Sequence, residues 1–483
     1  MLTVGAASGF DQTQLPASAP GQSSSTAVTV PKLEASAPTL STAQHTLELP
    51  LPAGSQVTLK DAIAIALKYH PRVAAAAAES GAAEEKVGEA RSGLGPQVYG
   101  VSEYLRNTNN GIGNTSYYNP YGALPRLTGS NHDQPSSDTS QNWDTSNSYG
   151  AGVAISQYLF DFGRRRGFVK ERRLEADAAL QQAQLVDLDL ILEVSERYFA
   201  LLKAKQLIRV YEKAVEERQF HLHEATVKAK AGLRPELDVY VTKAEVERAQ
   251  LHLVDARNAE ADAIVAFDNA LGLGGRSPNY ALTDVLWYAN INETMDSLMK
   301  SAMELRPDFA ALRAQAAAMG AQVKEYRSDY YPTVNAVGGY SAFGTGLPAV
   351  NNFNVGIVIT WPIFNSFLTS HEVEEARLRQ KAVESQIEDL RQQIVLQVKT
   401  TFLNWQSAVQ RIHFAEHALA ASRAQLDLAE KRYATGLADV VELEDAQRNF
   451  TDDDAAYADA LYGFSIAKAS VDQATGRSLQ AGH

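Results

Sequence analysis

Residues 366–433 read SFLTSHEVEEARLRQKAVESQIEDLRQQIVLQVKTTFLNWQSAVQRIHFAEHALAASRAQLDLAEKRY, about 68 positions with no proline and no glycine. Ala, Leu, Glu, Gln, Lys and Arg dominate, the residues that lose least on entering a helix. As one continuous helix the run reaches roughly 100 Å at about 1.5 Å per residue, farther than a compact domain extends. Within it Trp405, Ala408, Ile412, Ala415, Leu419, Ser422, Leu426, Ala429 and Tyr433 step alternately by 3 and 4. Upstream, Ile387, Leu390, Ile394, Gln397 and Thr401 step in the same way, with one extra residue between the two registers. A 3.5-residue spacing marks coiled-coil packing, and alternate Ala and Ser let helices approach closely.

The same text stands 204 residues earlier. Phe160 recurs at Phe364, Leu192 at Leu396, Tyr198 at Phe402, Gly232 at Gly436 and Gly272 at Gly476. Nearer the start the offset is 236, with Pro71 recurring at Pro307 and Pro96 at Pro332. The difference of 32 is one insertion in the first half, placed in the Asn-, Ser-, Gly- and Tyr-rich stretch Asn107 to Ser148, which reads as a solvent loop. Each long run closes at a glycine suited to a left-handed cap, Gly232 or Gly436. A second helix then runs back, from about Pro235 to Leu271 and from about Val440 to Thr475. Each half thus contributes a long antiparallel hairpin with its tip at the glycine.

Between the helices the period changes to two. Phe353, Val355, Ile357, Ile359 and Trp361 alternate with Asn354, Gly356, Val358 and Thr360, and Tyr149, Ala151, Val153 and Ile155 alternate with Gly150, Gly152, Ala154 and Ser156. Such strands suit a membrane barrel with the large apolar face in lipid. A half-buried hairpin in a soluble sheet gives the same alternation. What favours the barrel is the company of hairpins too long for a globular core. Four strands cannot close alone, so closure needs several chains.

The 483 residues carry a net charge of −13 and no cysteine. The charge repels phosphate, so no nucleic acid partner is expected. The missing thiols exclude disulfides, thiolate metal sites and a lipidated N-terminal cysteine. No apolar run is long enough for a transmembrane helix. Residues 1–56 read as a flexible leader rich in Ala, Ser, Thr and Pro. Met1 to Gly9 offers at most the tail of a secretory signal, leaving a removed signal, a misplaced start and a cytosolic protein all open.

Enzymatic motifs are missing: His221-Leu222-His223-Glu224 has the wrong spacing for H-E-x-x-H, and Gly272-Leu273-Gly274-Gly275 follows a helix, as a terminator does. No catalytic residue, cofactor or metal is expected. Glu442 and Asp445, three apart beyond the second tip, share a helix face. Repeated around an axis they would make a cation-attracting ring.

From about Leu59 to Gly476 the chain resembles the TolC family of outer membrane channel-tunnels. The resemblance is carried by the duplicated helix-proline starts (Ala62 to Val73, Leu298 to Phe309), the strand-to-helix junctions (Tyr158 to Gly163, Trp361 to Asn365) and the tips. Lys230-Ala231-Gly232 leads to Leu237-Asp238-Val239, and Arg432-Tyr433-Ala434-Thr435-Gly436 leads to Val441-Glu442-Leu443-Glu444-Asp445.

The resemblance implies a mainly α protein with β strands, long antiparallel helical hairpins forming a coiled-coil tunnel, and four strands per chain closing a twelve-stranded barrel in a homotrimer. It implies first and second repeats at 57–272 and 295–476, an equatorial connector at 273–294 and a tail at 477–483. The implied place is the Gram-negative outer membrane, in contact with its lipid, with a periplasmic extension; the implied partners are a periplasmic adaptor and an inner membrane transporter, in tripartite efflux or type I secretion. The implied role is a passive, non-enzymatic export duct; the competing reading is a soluble elongated coiled-coil scaffold. Glu442 and Asp445 match the family's entrance selectivity ring, and Asp238 and Tyr433 match two of its closing links. A further linking arginine is Ala438 here, while Arg234 stands at the equivalent place in the first half. Either Arg234 compensates or the closed state is weaker.

Overall fold

The computed structural model describes residues 55–108, 145–274, 280–283, 293–344 and 350–477. The leader up to residue 54, the insertion at 109–144, most of the connector, positions 345–349 and the tail from 478 lie outside them. In chain order the elements are β1 (Ser55–Val57), α1 (Leu59–Tyr69), α2 (Pro71–Ser92), β2 (Gln97–Thr108), β3 (Thr145–Phe160), α3 (Arg164–Lys230), α4 (Glu236–Ala270), β4 (Tyr280–Leu282), α5 (Met295–Leu305), α6 (Pro307–Ser328), β5 (Thr333–Gly344), β6 (Val350–Thr360), α7 (Leu368–Ala434) and α8 (Val440–Ala474).

The duplication is carried into the helix lengths. α1 and α5 each have 11 residues, α2 and α6 each 22, α3 and α7 each 67, and α4 and α8 each 35. Thr58 caps α1 in a reciprocal box with Asp61, and Thr294 caps α5 through the Ser297 amide. The breaks into α2 and α6 come from proline, which pushes the preceding His70 (ψ 128°) and Arg306 (ψ 123°) out of helical geometry. The return helices stop against these breaks. At Gly272 (φ +77°) a Cβ would stand 2.8 Å from the His70 Cα, and at Gly476 (φ +72°) 2.8 Å from the Leu305 carbonyl carbon. Glycine is needed there twice over, for its left-handed backbone and for the space.

At mid-length of the hairpins the short helices pack on the long ones. Val57, Ala62, Tyr198, Leu201, Phe267 and Leu271 form one buried cluster; Leu298, Ile394, Val398, Trp405 and Phe464 form its counterpart. The Tyr198 hydroxyl donates to the Val57 carbonyl at 3.2 Å. That contact anchors β1, which pairs in parallel with β4. The predicted α7 stripe is buried or half-buried throughout, from Ile387 to Tyr433.

β2, β3, β5 and β6 form one antiparallel sheet in that order. Its faces follow the alternation read from the sequence. Phe353 (71%), Val355 (74%), Ile357 (67%) and Ile359 (67%) stand exposed beside Tyr340 and Val153, while Gly150, Ala154 and Ser156 are buried on the other face. Val358 departs from the pattern, being on the inner side yet 47% exposed. The inner face is crowded: a Cβ at Gly152 would meet the Ser341 Cβ at 2.7 Å, and one at Gly339 the Asn354 Oδ1 at 2.7 Å.

Both strand-to-helix junctions use two consecutive left-handed residues, Phe162 (φ 52°) with Gly163 (φ 92°) and Ser366 (φ 55°) with Phe367 (φ 65°). Outside glycine this conformation costs about 1–2 kcal/mol per residue. At Phe162 it is offset by stacking on Tyr331, with ring centroids 4.8 Å apart, and by the Ser328 hydroxyl donating to the Phe162 carbonyl at 3.2 Å.

Candidate entrance at the hairpin tips

Each tip is closed by a double backbone bond. Leu233 N–H donates to Lys228 O at 2.9 Å and Gly232 N–H to Ala229 O at 3.0 Å; Leu437 N–H donates to Arg432 O at 2.9 Å and Gly436 N–H to Tyr433 O at 3.1 Å. Gly232 (φ +68°) and Gly436 (φ +77°) supply the left-handed residue, and nothing lies within 4 Å of either missing Cβ. Here glycine is required by backbone alone.

The two tips are tied by Arg234. Its Nη2 donates to the Ala438 carbonyl at 3.0 Å and to the Tyr433 carbonyl at 3.4 Å, with the guanidinium carbon 4.8 Å from the Tyr433 ring centroid. Lys228 Nζ lies 4.9 Å from the same centroid. Tyr433 thus has two cations against its ring and is fully buried, in a cluster with Leu426, Ala438, Leu443 and Phe450. Asp238 is buried nearby. The Tyr433 hydroxyl and the Asp238 Oδ2 have no hydrogen-bond partner among the described residues. Burial, then the Asp238 charge, pushes the Tyr433 phenol up.

Glu442 and Asp445 lie on the outward side of α8. The Glu442 amide is capped by Asp439 at 2.9 Å, and its carboxylate meets Arg432 Nε at 2.8 Å. Asp445 meets Arg448 Nη1 at 3.0 Å. Both pairs are half-exposed, so each contributes at most about 1 kcal/mol. The acids are therefore partnered within one chain, which the sequence reading did not anticipate.

Sequence reasoning also missed a buried polar layer on the opposite side of the same turns of α8. Glu444 (3% exposed) and Gln447 (2%) of α8 are buried, and the charges of Arg218 on α3 and Glu245 on α4, both buried too, act on Glu444. Both Glu444 oxygens and both Gln447 side-chain heteroatoms are without partners among the described residues. Burial raises the Glu444 carboxyl to about 7, with Arg218 pulling it down and Glu245 pushing it further up. The signal was in the spacing: Val440, Glu444, Gln447 and Thr451 step 4, 3, 4, which sets polar side chains on a coiled-coil seam.

Paired hairpins tied at their tips and ended by an apolar-faced sheet describe a cell-envelope duct component. The chain belongs to the outer membrane efflux protein family: the model described as "Outer membrane efflux protein" matches residues 62–273 and 298–477. Outer membrane protein TolC of Salmonella enteritidis is 22% identical over 422 residues, covering 84% of this chain and 79% of that one. Protein CyaE of Bordetella pertussis is 25% identical over 248 residues, half of each chain. Among solved structures, CusC superposes with a TM-score of 0.71 at 18% identity, covering 89% of this chain and 96% of that one, and the Campylobacter jejuni CmeC outer membrane channel with 0.71 at 16%, covering 86% and 85%. The protein is an outer membrane export duct of the efflux family.

Proposed function

We propose that three copies close their four-stranded sheets into one twelve-stranded barrel in the outer membrane and their hairpins into one periplasmic tunnel, through which substrates leave passively. The observation that carries this reading is the open sheet with its apolar outward face set at the end of hairpins roughly 100 Å long. In this reading residues 57–272 and 295–476 are the two repeats, and 273–294 with 477–483 form a belt around the tunnel. No reaction is catalysed. The tips meet a periplasmic adaptor and an inner membrane transporter, which open them.

Glu442 and Asp445 line the entrance, their arginine partners turning away as the tips part. Arg234, Tyr433 and Asp238 hold it shut, with Gly232 and Gly436 as the turns. Planar bilayers test the assignment. Replacing Glu442 and Asp445 together by Ala is expected to reduce cation selectivity and abolish block by trivalent cations from the periplasmic side, whereas Arg234→Ala raises open conductance with selectivity unchanged. Unchanged selectivity and block in the double variant would place the constriction elsewhere. A soluble scaffold would instead wash off membranes in carbonate.

A further inference from the structure

α3 opens on a basic run. Arg164, Arg165, Arg166, Lys170, Arg172 and Arg173 all stand in its first three turns, with Glu171 the one acid among positions 164–173. Three of these cations are engaged within the chain. Arg164 meets Asp329 beyond α6 at 3.0 Å, Arg165 donates to the Gly93 carbonyl at the end of α2 at 2.8 Å, and Arg172 meets Glu175 at 2.6 Å. Arg166, Lys170 and Arg173 are exposed, and none of them is hydrogen-bonded or ion-paired among the described residues. Their steps of 4 and 3 set them in one stripe along the helix. The equivalent positions on α7 are Ser370, Glu374 and Arg377, and there the arginine is tied to the glutamate at 3.2 Å. Duplication therefore does not account for the stripe.

The packing fixes which way the stripe faces. α6 lies against Gly167 and Glu171: a Cβ at Gly167 would stand 3.3 Å from the Glu325 Cβ, and Gln322 donates to Glu171 at 3.2 Å. Arg164 points to the same side, while Arg165 reaches α2. At roughly 100° per residue these two neighbours stand about 130° apart on one side of α3 and about 230° apart on the other. The stripe runs down the middle of the wider side. Where helices close into a ring, the wider side of each helix is the outer one. Toward the sheet the stripe adjoins exposed Leu159, Phe160 and Phe162. Arg173, its far end, is only about 14 Å along the helix axis from the start of α3. Helical side chains lean toward the helix N-terminus, which here is the sheet. Asp177, also exposed, follows the stripe on the side away from the sheet.

Resting on the barrel reading above, we propose that Arg166, Lys170 and Arg173 bind the headgroup phosphates of anionic phospholipids in the periplasmic leaflet of the outer membrane, holding a preferred lipid column against β3. Two features select this occupant. The stripe continues the apolar outward face of the sheet across a strip of exposed aromatic and aliphatic side chains, so a lipid with its chains on β3 has its phosphate at the start of α3. The three cations have no competing acid on their own stretch of the face, so they meet a phosphate without first breaking an ion pair. Long basic side chains also lay their stems on apolar surface while the charged ends reach the headgroups. The α7 face, with Glu374 on Arg377, lacks this preference.

The native chain has no cysteine, so Ile155→Cys on the exposed face of β3 carries a single fluorophore. The full chain is reconstituted in vesicles of phosphatidylethanolamine and phosphatidylglycerol in which one lipid or the other has brominated chains, and quenching of the label reads which lipid stands beside it. Phosphatidylglycerol is expected to be preferred by roughly fivefold or more at low salt, since each cation near an anionic surface contributes about that factor. High salt is expected to shrink the preference. Arg166→Gln with Lys170→Gln and Arg173→Gln is expected to bring it to about one, Arg166→Lys with Arg173→Lys to keep it, and Arg377→Gln on α7 to leave it unchanged. Equal quenching by the two lipids in the protein without stripe substitutions, or a preference that survives the triple change, overturns the proposal and leaves the barrel standing. A label that neither brominated lipid quenches overturns both.

Discussion

Replacing Glu444 by Gln isolates the buried carboxyl in the joint between the hairpins. Its ordinary value of 4.5 is raised to about 7 in the closed structure. Below pH 4.5 the carboxyl is protonated whether the joint is open or closed, and the closed state has its full stability. Between 4.5 and 7 the opened joint releases the proton while the closed one holds it, so rising pH favours opening. The change over that window is on the order of 3 kcal/mol, since each tenfold difference in proton affinity between the two states is worth about 1.4 kcal/mol. Arg218 on α3 and Arg448 on α8 oppose it, and Glu245 on α4 and Asp445 add to it. Hydrogen exchange at residues 440–452 and 214–225, corrected for intrinsic rates, reads the opening directly. From pH 5 to pH 8 protection in the wild type is expected to fall roughly 100-fold. Glu444→Gln, neutral at every pH, is expected to be flat and better protected at pH 8. Equal pH dependence in the two proteins, or none in the wild type, refutes the reasoning.

Gly476→Ala is expected to lose most assembled protein, because the added Cβ meets backbone at 2.8 Å, while Gly436→Ala, with open space and only a left-handed backbone to hold, costs about 1–2 kcal/mol in thermal unfolding. Ile357→Lys on the outward face of β6 is expected to cost about 2–4 kcal/mol and to lower the melting temperature of the assembled protein in lipid, whereas Asn354→Lys on the inner face does not. Deleting residues 109–144, whose composition predicts a solvent loop, is expected to leave assembly and conductance intact on native gels and in bilayers, since loop length alters closure entropy little.

The hairpins and the sheet phase were legible because each rests on a local rule repeated many times over: no proline, a 3.5-residue stripe, a period of two. The tip glycines were legible because a left-handed cap leaves few other choices. Arg234 was legible only as an alternative, since whether it reaches the Ala438 carbonyl depends on a side-chain path across 204 residues of sequence. Glu444 was hidden among acids that really are solvated, and its burial is set by α3, a different hairpin. The arginines beside Glu442 and Asp445 were overlooked because the reading looked across an axis and not along the helix. The Ser366–Phe367 junction carries no glycine, so its backbone conformation had no compositional marker, and three-residue strands such as β1 and β4 are too short to show a period.

β2 and β6 are the outer strands, each paired with one neighbouring strand among the described residues, beside a broad apolar face. An edge of that kind pairs with whatever strand arrives first. With the proposed trimeric assembly, a newly made copy has a limited lifetime in water, during which correct partners compete with aggregation at a rate set by concentration. The hairpins, built from contacts close in sequence, form quickly; the sheet, which joins segments far apart, forms late. The order in which the parts mature thus keeps the adhesive edges hidden until assembly is near, and overproduction is expected to fail first as aggregates seeded at the sheet.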